Sequence, residues 1–216
     1  MFTTVLSQTA KDALAILGKS GLVDHAYLAG GSALALHFGH RYSLDFDFFS
    51  EQPFNPNTLS LSLKKLGNFR KAFAEGISLI GTFQGVKMSY FHYEYPLIAP
   101  TTSCLHVNVA HPHDISAMKL AAIMDRGTKR DFIDVYELIR RGTTIDTILL
   151  YYDQKYKALN ENLFSLIKSL RYFDDAEGTD MPDMITPVSW DEVKRFFISE
   201  SMRLAHKHLG ESTEES

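Results

Sequence analysis

Two aspartates, Asp45 and Asp47, are the residues whose types and spacing point most directly to chemistry in this chain. Residues two apart in a β-strand face the same side, so a strand here would place the two carboxylates side by side. Paired carboxylate oxygens on one rigid edge suit Mg²⁺ that carries the phosphates of a nucleotide. The apolar residues around them, Leu44, Phe46 and Phe48, would then face the opposite, buried side.

A glycine pair followed by serine, Gly30-Gly31-Ser32, forms the second half of the candidate site. Residues 25–29 predict a strand that ends at the glycines, and residues 32–37 predict the helix that follows. A helix that begins at a glycine turn offers backbone N–H groups and the positive end of its dipole to a phosphate. The chain then has room to reverse before Asp45, so we expect the phosphate-binding turn and the carboxylates at adjacent strand ends.

The predicted secondary structure that positions these motifs changes near residue 110, from strands with a few helices to helices alone. Before it, apolar runs predict strands at 78–83, 86–93 and 105–110, with helices near 9–17 and from residue 57. After it, helices are predicted at 115–124, 144–158, 160–171 and 190–208, with Asp114 as the N-cap of the first. Thr128 and Asp131 have the spacing of a capping box that begins a further helix.

This pattern predicts an α/β (α+β) fold with a small mixed sheet and flanking helices, followed by a C-terminal helical half. We expect a catalytic domain over residues 1–110 and a helical domain over 111–216 that packs on it, with a cleft between them. The acidic residues at the C-terminus predict a disordered tail.

Composition limits the class of protein. With 216 residues and 45% hydrophobic content, the chain can bury a substantial core. A net charge of −4 argues against a strongly basic protein that coats nucleic acid. Cys104 is the single cysteine, which forbids an internal disulfide and fits a reducing compartment. We find no apolar run of membrane-spanning length and no secretory leader, so we expect a cytoplasmic protein with no membrane partner.

The two motifs together resemble the GSx…DxD signature of DNA polymerase β-type nucleotidyltransferases, and within that superfamily the AbiEii/AbiGii toxin-like group. Residues 85–93, 114–123 and 126–136 also resemble later blocks of that group. The resemblance extends from about Leu28 to Phe197, and its order makes it more specific than a lone short motif. It implies that the sheet and its helices are of the nucleotidyltransferase type.

This resemblance implies a metal-dependent enzyme that moves a nucleoside monophosphate from an NTP to a hydroxyl group on RNA, tRNA included, or on protein. Pyrophosphate would be released. Asp45 and Asp47 would be catalytic and would hold Mg²⁺, with Mn²⁺ as an alternative. Gly30, Gly31 and Ser32 would bind the phosphates. The group also implies a toxin with a cognate antitoxin encoded elsewhere.

Four further residues are candidates for the same site. Lys119 lies in an apolar helical segment, where the residues alone favour an ammonium that reaches solvent, whereas the resemblance places it against the triphosphate. Asp131 and Asp134 share a helix face. Either could be structural, as a capping or ion-pairing residue, but the resemblance makes one of them catalytic. Lys87 could contact phosphates, although a lysine on a strand more often faces solvent.

Ser89 marks a departure from the superfamily pattern. Polymerase β-type enzymes generally carry a third carboxylate on the strand after the aspartate pair, as general base or second metal ligand. The predicted strand over 86–91 offers Ser89 there instead. Proton removal would then fall to Asp134, to Asp131 or to the substrate's own phosphate. The alternative is a catalytically silent nucleotide-binding or partner-binding module with the same fold.

Overall fold

The computed structural model describes residues 1–210, and the chain divides after Ile115 into two compact units. The division falls within the first turns of a helix, α4 (Pro112–Asp125). The predicted disordered tail lies outside the described residues.

The first unit is built on one sheet, whose strands are β1 (Tyr27–Ala29), β2 (Asp45–Ser50), β3 (Phe69–Glu75), β4 (Ser78–Phe83), β5 (Val86–His92), β6 (Thr102–Cys104) and β7 (Val107–Val109). The strand order in the sheet is β3-β4-β5-β2-β1-β7-β6. β1 pairs with β7 and β2 pairs with β5 in parallel, whereas the other pairs are antiparallel. The predicted mixed sheet of an α/β fold is therefore confirmed.

The central strand β2 has two chemically different faces. Phe46 and Phe48 are fully buried on one face, while Asp45 and Asp47 are half-buried on the other. The predicted alternation along this strand is confirmed. Leu44 was expected on the buried face and this is wrong: its residue surface is 72% exposed, because it precedes the first residue of β2.

Two helices of the first unit begin at residues whose side chains cap them. Ser7 accepts a hydrogen bond from the Ala10 N–H, and Asn55 accepts one from the Thr58 N–H. These side chains satisfy N–H groups that an isolated helix end leaves unpaired. The helices are α1 (Gln8–Lys19), α2 (Gly30–Phe38) and α3 (Pro56–Leu66), preceded by a short 3₁₀ helix (Thr3–Val5).

The second unit is helical in its described residues. Its core includes the aromatic rings of Phe132 and Phe197, whose centroids are 5.1 Å apart. No helix within residues 1–210 is long and apolar enough to cross a membrane. Besides the rest of α4, its helices are α5 (Lys129–Arg140), α6 (Ile145–Tyr156), α7 (Leu159–Ser169), α8 (Asp174–Glu177) and α9 (Trp190–Leu209).

The two predicted helix caps have different outcomes. The Thr128 backbone N–H donates to Asp131 Oδ2 at 3.2 Å, so the predicted capping arrangement at α5 is confirmed. Asp114 as the N-cap of α4 is wrong, because the helix already begins at Pro112, a residue favoured in a first turn. The Asp114 carboxylate instead accepts hydrogen bonds from the Ile98 and Ala99 N–H groups.

Candidate functional site

The turn from β1 into α2 has the backbone geometry of an anion-binding helix start. Gly30 has φ +65°, a conformation that residues with a Cβ rarely adopt. The N-cap residue, Ala29, makes no side-chain capping hydrogen bond. The first N–H groups of α2 therefore receive no cap from that side chain, and they carry the positive end of the helix dipole.

Asp47 brings a carboxylate to this turn. In the antiparallel pairing of β1 with β2, Ala29 is the register partner of Asp47. A Cβ built on Gly30 would lie 3.2 Å from Asp47 Oδ2, so this oxygen lies against the glycine backbone. The predicted adjacency of the glycine turn and the aspartate pair is confirmed.

Ser32 ties the helix start to the beginning of β2. Its side chain is buried, with Oγ 2.7 Å from the Ser43 Oγ, and it also donates to the backbone carbonyl oxygen of Asp45. These contacts hold the first turn of α2 beside the aspartates. Its hydroxyl thus has a clear structural function, and direct contact of Ser32 with a nucleotide stays a prediction.

Arg41 is a site residue that the sequence analysis missed. A Cβ on Gly31 would come within 2.0 Å of Arg41 Nη2, so the absence of a side chain at Gly31 makes room for the guanidinium. Arg41 is 3% exposed, and its Nη1 donates to the Tyr42 carbonyl oxygen at 3.1 Å. A fixed cation beside the first turn of α2 adds to the positive potential there. The available signal was a basic residue between the glycine turn and the aspartates.

The neighbouring strand β5 supplies the next two residues of this face. In the parallel register, Lys87 lies beside Asp45 and Ser89 lies beside Asp47. Lys87 is exposed, whereas Ser89 is 7% exposed. The strand position next to Asp47, where the superfamily pattern led us to expect an acid, is therefore occupied by serine.

The donor set at the two aspartates fits a magnesium ion. Asp45 and Asp47 present hard carboxylate oxygens on one half-buried edge. Within residues 1–210, no group of three or more His, Cys, Asp or Glu side chains is arranged to hold a metal. Mg²⁺ commonly combines one or two protein carboxylates with substrate phosphates and water, so a pair is sufficient.

In the second unit, Lys119 lies between two buried carboxylates. Its Nζ is 2.8 Å from Asp131 Oδ1 and 2.7 Å from Asp134 Oδ2. The side chains of Lys119, Asp131 and Asp134 are 9%, 2% and 0% exposed. The interpretation that the ammonium reaches solvent is wrong, because the acids of α5 bind it within the unit. We call these three residues the buried ion cluster.

The environment of Asp131 keeps that acid ionised. Burial raises the pKa of its carboxyl, but the charge and hydrogen bond of Lys119 lower it. A hydrogen bond from Thr128 and the charge of Arg126 lower it further, so the pKa of Asp131 lies below its ordinary value. The ammonium of Lys119 thus faces two carboxylates of its own unit, and a contact of Lys119 with a triphosphate stays a prediction.

The sequence matches the family described as Nucleotidyl transferase AbiEii toxin, Type IV TA system, over residues 12–98 and 89–211. It is also 36% identical to the protein aq_aa25 of Aquifex aeolicus (strain VF5) over 197 residues, which are 89% of this chain and 94% of that protein.

Solved structures share the fold at low sequence identity. JHP933 of Helicobacter pylori is 16% identical with a TM-score of 0.53, and the match covers 96% of each chain. MenT4, a nucleotidyltransferase toxin of Mycobacterium tuberculosis H37Rv, is 15% identical with a TM-score of 0.51, over 92% of this chain and 89% of that one. Together with the family match, these findings show that the chain belongs to the AbiEii family of toxin-type nucleotidyltransferases.

Proposed function

We propose that this nucleotidyltransferase moves a nucleoside monophosphate from an NTP to a hydroxyl group on RNA or protein, in a reaction that requires Mg²⁺ or Mn²⁺. The observation that carries the proposal is the contact between Asp47 and Gly30. It joins a carboxylate pair suited to a divalent ion to a helix start suited to phosphate.

Each part of the site has a function in this proposal. Asp45 and Asp47 hold the metal, which when bound neutralises charge on the triphosphate and the leaving pyrophosphate. The backbone N–H groups at Gly30 and Gly31 bind phosphate oxygens of the same triphosphate. The guanidinium of Arg41 adds a fixed positive charge beside them.

Bond changes in the transfer are those of a phosphoryl displacement. The acceptor hydroxyl oxygen forms a bond to the α-phosphorus, and the bond from that phosphorus to the bridging oxygen breaks, so pyrophosphate leaves. The hydroxyl proton passes to a base. The low pKa of Asp131 makes that carboxylate a weak base, and Asp134 is fully buried against the same ammonium, so a phosphate oxygen of the substrate is the favoured base.

Lys87 is a further candidate for phosphate contact. It is exposed and lies beside Asp45 on the face that carries both aspartates. An ammonium group here can approach an oxygen of a metal-bound triphosphate. Lys119 could neutralise charge on the triphosphate only if the buried ion cluster rearranges, because its ammonium makes short contacts with both carboxylates.

The family match also suggests a role for this chain in a toxin–antitoxin system. We propose that the chain is the toxin of a toxin–antitoxin system and that an antitoxin encoded elsewhere controls it. The support is the family description, which names a type IV system.

Ser89 favours a second candidate function, a catalytically silent module that binds nucleotide or a partner. Incubation with each of the four NTPs, Mg²⁺ and either total RNA or a protein fraction separates the two. A transferase releases pyrophosphate only when an acceptor is present. Binding of NTP without pyrophosphate release, for every NTP and acceptor pool, would support the silent module.

A further inference from the structure

The sheet face that carries Asp45 and Asp47 becomes aromatic two residues further along β2. Phe49 follows Asp47 on this face, and its register partners on the neighbouring strands are Tyr27 and Phe91. The ring centroid of Phe49 is 6.0 Å from that of Tyr27 and 5.5 Å from that of Phe91. The Tyr93 ring lies 5.2 Å from Phe49 in an edge-to-face arrangement. We call Tyr27, Phe49, Phe91 and Tyr93 the aromatic strip.

Three rings of the strip keep part of their surface open. Phe49, Phe91 and Tyr93 are half-buried, whereas Phe46 and Phe48 on the opposite face of β2 are fully buried. Partly open aromatic faces in a row are the feature with which proteins stack nucleobases. A purely structural aromatic cluster would more commonly be buried as completely as Phe46 and Phe48.

Charged groups lie at both ends of the face. Beside the aromatic strip, Glu51 and Asp114 accept hydrogen bonds of 2.9 to 3.2 Å from backbone N–H groups of residues 97–99. Burial raises the pKa of Tyr27, and the nearby Tyr93, Asp114 and Glu51 raise it further. The other end holds the start of α2, the guanidinium of Arg41 and the carboxylates of Asp45 and Asp47, whose negative charge a bound Mg²⁺ would offset. Phosphates are therefore disfavoured beside Glu51 and Asp114, and they are favoured at α2 when the metal is bound.

We propose that the aromatic strip binds the nucleobase of the NTP, which stacks on the rings of Phe49 and Phe91. This inference rests on the proposed function, because it takes the phosphates to lie at Asp47 and Gly30. Two residues of strand span about 7 Å, which leaves room for the ribose between the α-phosphate and the base. Stacking is open to every base, so the strip supplies affinity without choosing among the four NTPs.

The test compares two ligands that differ by the nucleoside. Calorimetry with Mg²⁺ gives the Kd of NTP and of inorganic tripolyphosphate for wild type, Phe49→Leu and Phe91→Leu. Both variants should bind NTP roughly tenfold more weakly, because a leucine cannot stack, and should bind tripolyphosphate as wild type does. Phe73→Leu is the matched control: Phe73 is 46% exposed on β3 of the same sheet, and its loss should change neither Kd.

The outcomes separate this inference from the proposed function. If NTP affinity is unchanged in both variants, the aromatic strip is not the base site. The phosphate site would still be supported in that case if Asp47→Asn loses tripolyphosphate binding. Unchanged NTP affinity with a raised KM for the acceptor would also overturn the strip as the base site and assign it to the acceptor. If the wild-type protein binds neither ligand, the proposed function itself is wrong. Retained tripolyphosphate binding shows that a variant is folded.

Discussion

The carboxylate of Asp47 lies against the backbone of Gly30, where an added Cβ would be 3.2 Å from Asp47 Oδ2. The two residues belong to different segments, one to β2 and the other to the first turn of α2. Their contact places a metal-binding oxygen at a helix start that its N-cap side chain leaves uncapped.

Asp47→Asn should weaken Mg²⁺-dependent binding of NTP tenfold or more. The substitution keeps the shape of the side chain but removes a charged ligand, and a lost charge-assisted contact costs about 1.5 to 3 kcal/mol. Calorimetry with and without Mg²⁺ measures the effect. Glu75→Gln removes an exposed charge on β3 and serves as the control. An Asp47→Asn variant with full Mg²⁺-dependent affinity would refute the metal assignment.

Gly31→Ala should displace the guanidinium of Arg41, because the new Cβ would lie within 2.0 Å of Nη2. The end of a flexible side chain can move, so we expect a modest stability loss of about 1 kcal/mol together with weaker NTP binding. Thermal melts and titrations measure the two effects. Gly178→Ala is the control, because an added Cβ there would lie 3.6 Å from the Asp175 carbonyl oxygen, an ordinary van der Waals contact. Wild-type NTP affinity in Gly31→Ala would argue against phosphate binding beside Arg41.

Lys119→Met should destabilise the protein at pH 7 by about 3 to 5 kcal/mol, because it leaves two buried carboxylates without their cation. Lys207→Met breaks an exposed ion pair with Asp146 and should leave stability nearly unchanged. Thermal melts compare both variants with wild type. A Lys119→Met variant as stable as wild type at pH 7 would contradict the buried ion cluster.

The contribution of Asp131 to stability should depend on pH with opposite sign in Lys119→Met and in wild type. In wild type the pKa of Asp131 is lowered, so its contribution to stability is present above the unfolded pKa of about 4 and is lost as pH falls below it. Without Lys119, burial raises the pKa of Asp131 against only the Thr128 hydrogen bond and the exposed Arg126, so acidification relieves part of the cost. The stability gap between variant and wild type should therefore narrow from pH 7 toward pH 5. A constant gap would show that the acids are not ionised partners of Lys119.

Ser89→Asp should make the stability of the protein depend more strongly on Mg²⁺. The new carboxylate would be nearly buried beside Asp47, and its repulsion should cost about 1 to 3 kcal/mol without metal. Added Mg²⁺ should restore much of this loss, which thermal melts across a Mg²⁺ titration can measure. Ser89→Asn is the neutral control. Equal responses to Mg²⁺ in the two variants would mean that position 89 does not face the metal.

The alternation of apolar and polar residues was sufficient to predict the central strand of the sheet but not the edge strand β3. The alternation around Phe46 predicted β2 correctly, because one face of that strand is buried and the other is not. β3 was missed because Arg70 and Lys71 are exposed on an edge strand, where no buried face imposes a pattern. Leu44 was assigned to the buried face by extending the period one residue too far.

Contacts between side chains on different elements could not be predicted from the sequence pattern. Lys119 lies in an apolar stretch, and only the packing of α4 on α5 shows that two acids bind its ammonium. Arg41 was overlooked because its proximity to Gly31 arises from the reversal between α2 and β2. The glycine turn and Asp47 could be paired in advance because they lie close in sequence and belong to one recognisable motif.

Label transfer from α-³²P and γ-³²P NTP tests the central claim most directly. In the presence of Mg²⁺ and an acceptor pool, wild type should transfer α-label to RNA or protein and release γ-label as pyrophosphate, and Asp47→Asn should transfer at least tenfold less. Autolabelling of the chain counts as transfer to a protein hydroxyl. The account is contradicted if no α-label reaches a macromolecule with any of the four NTPs, or if Asp47→Asn transfers label as fast as wild type.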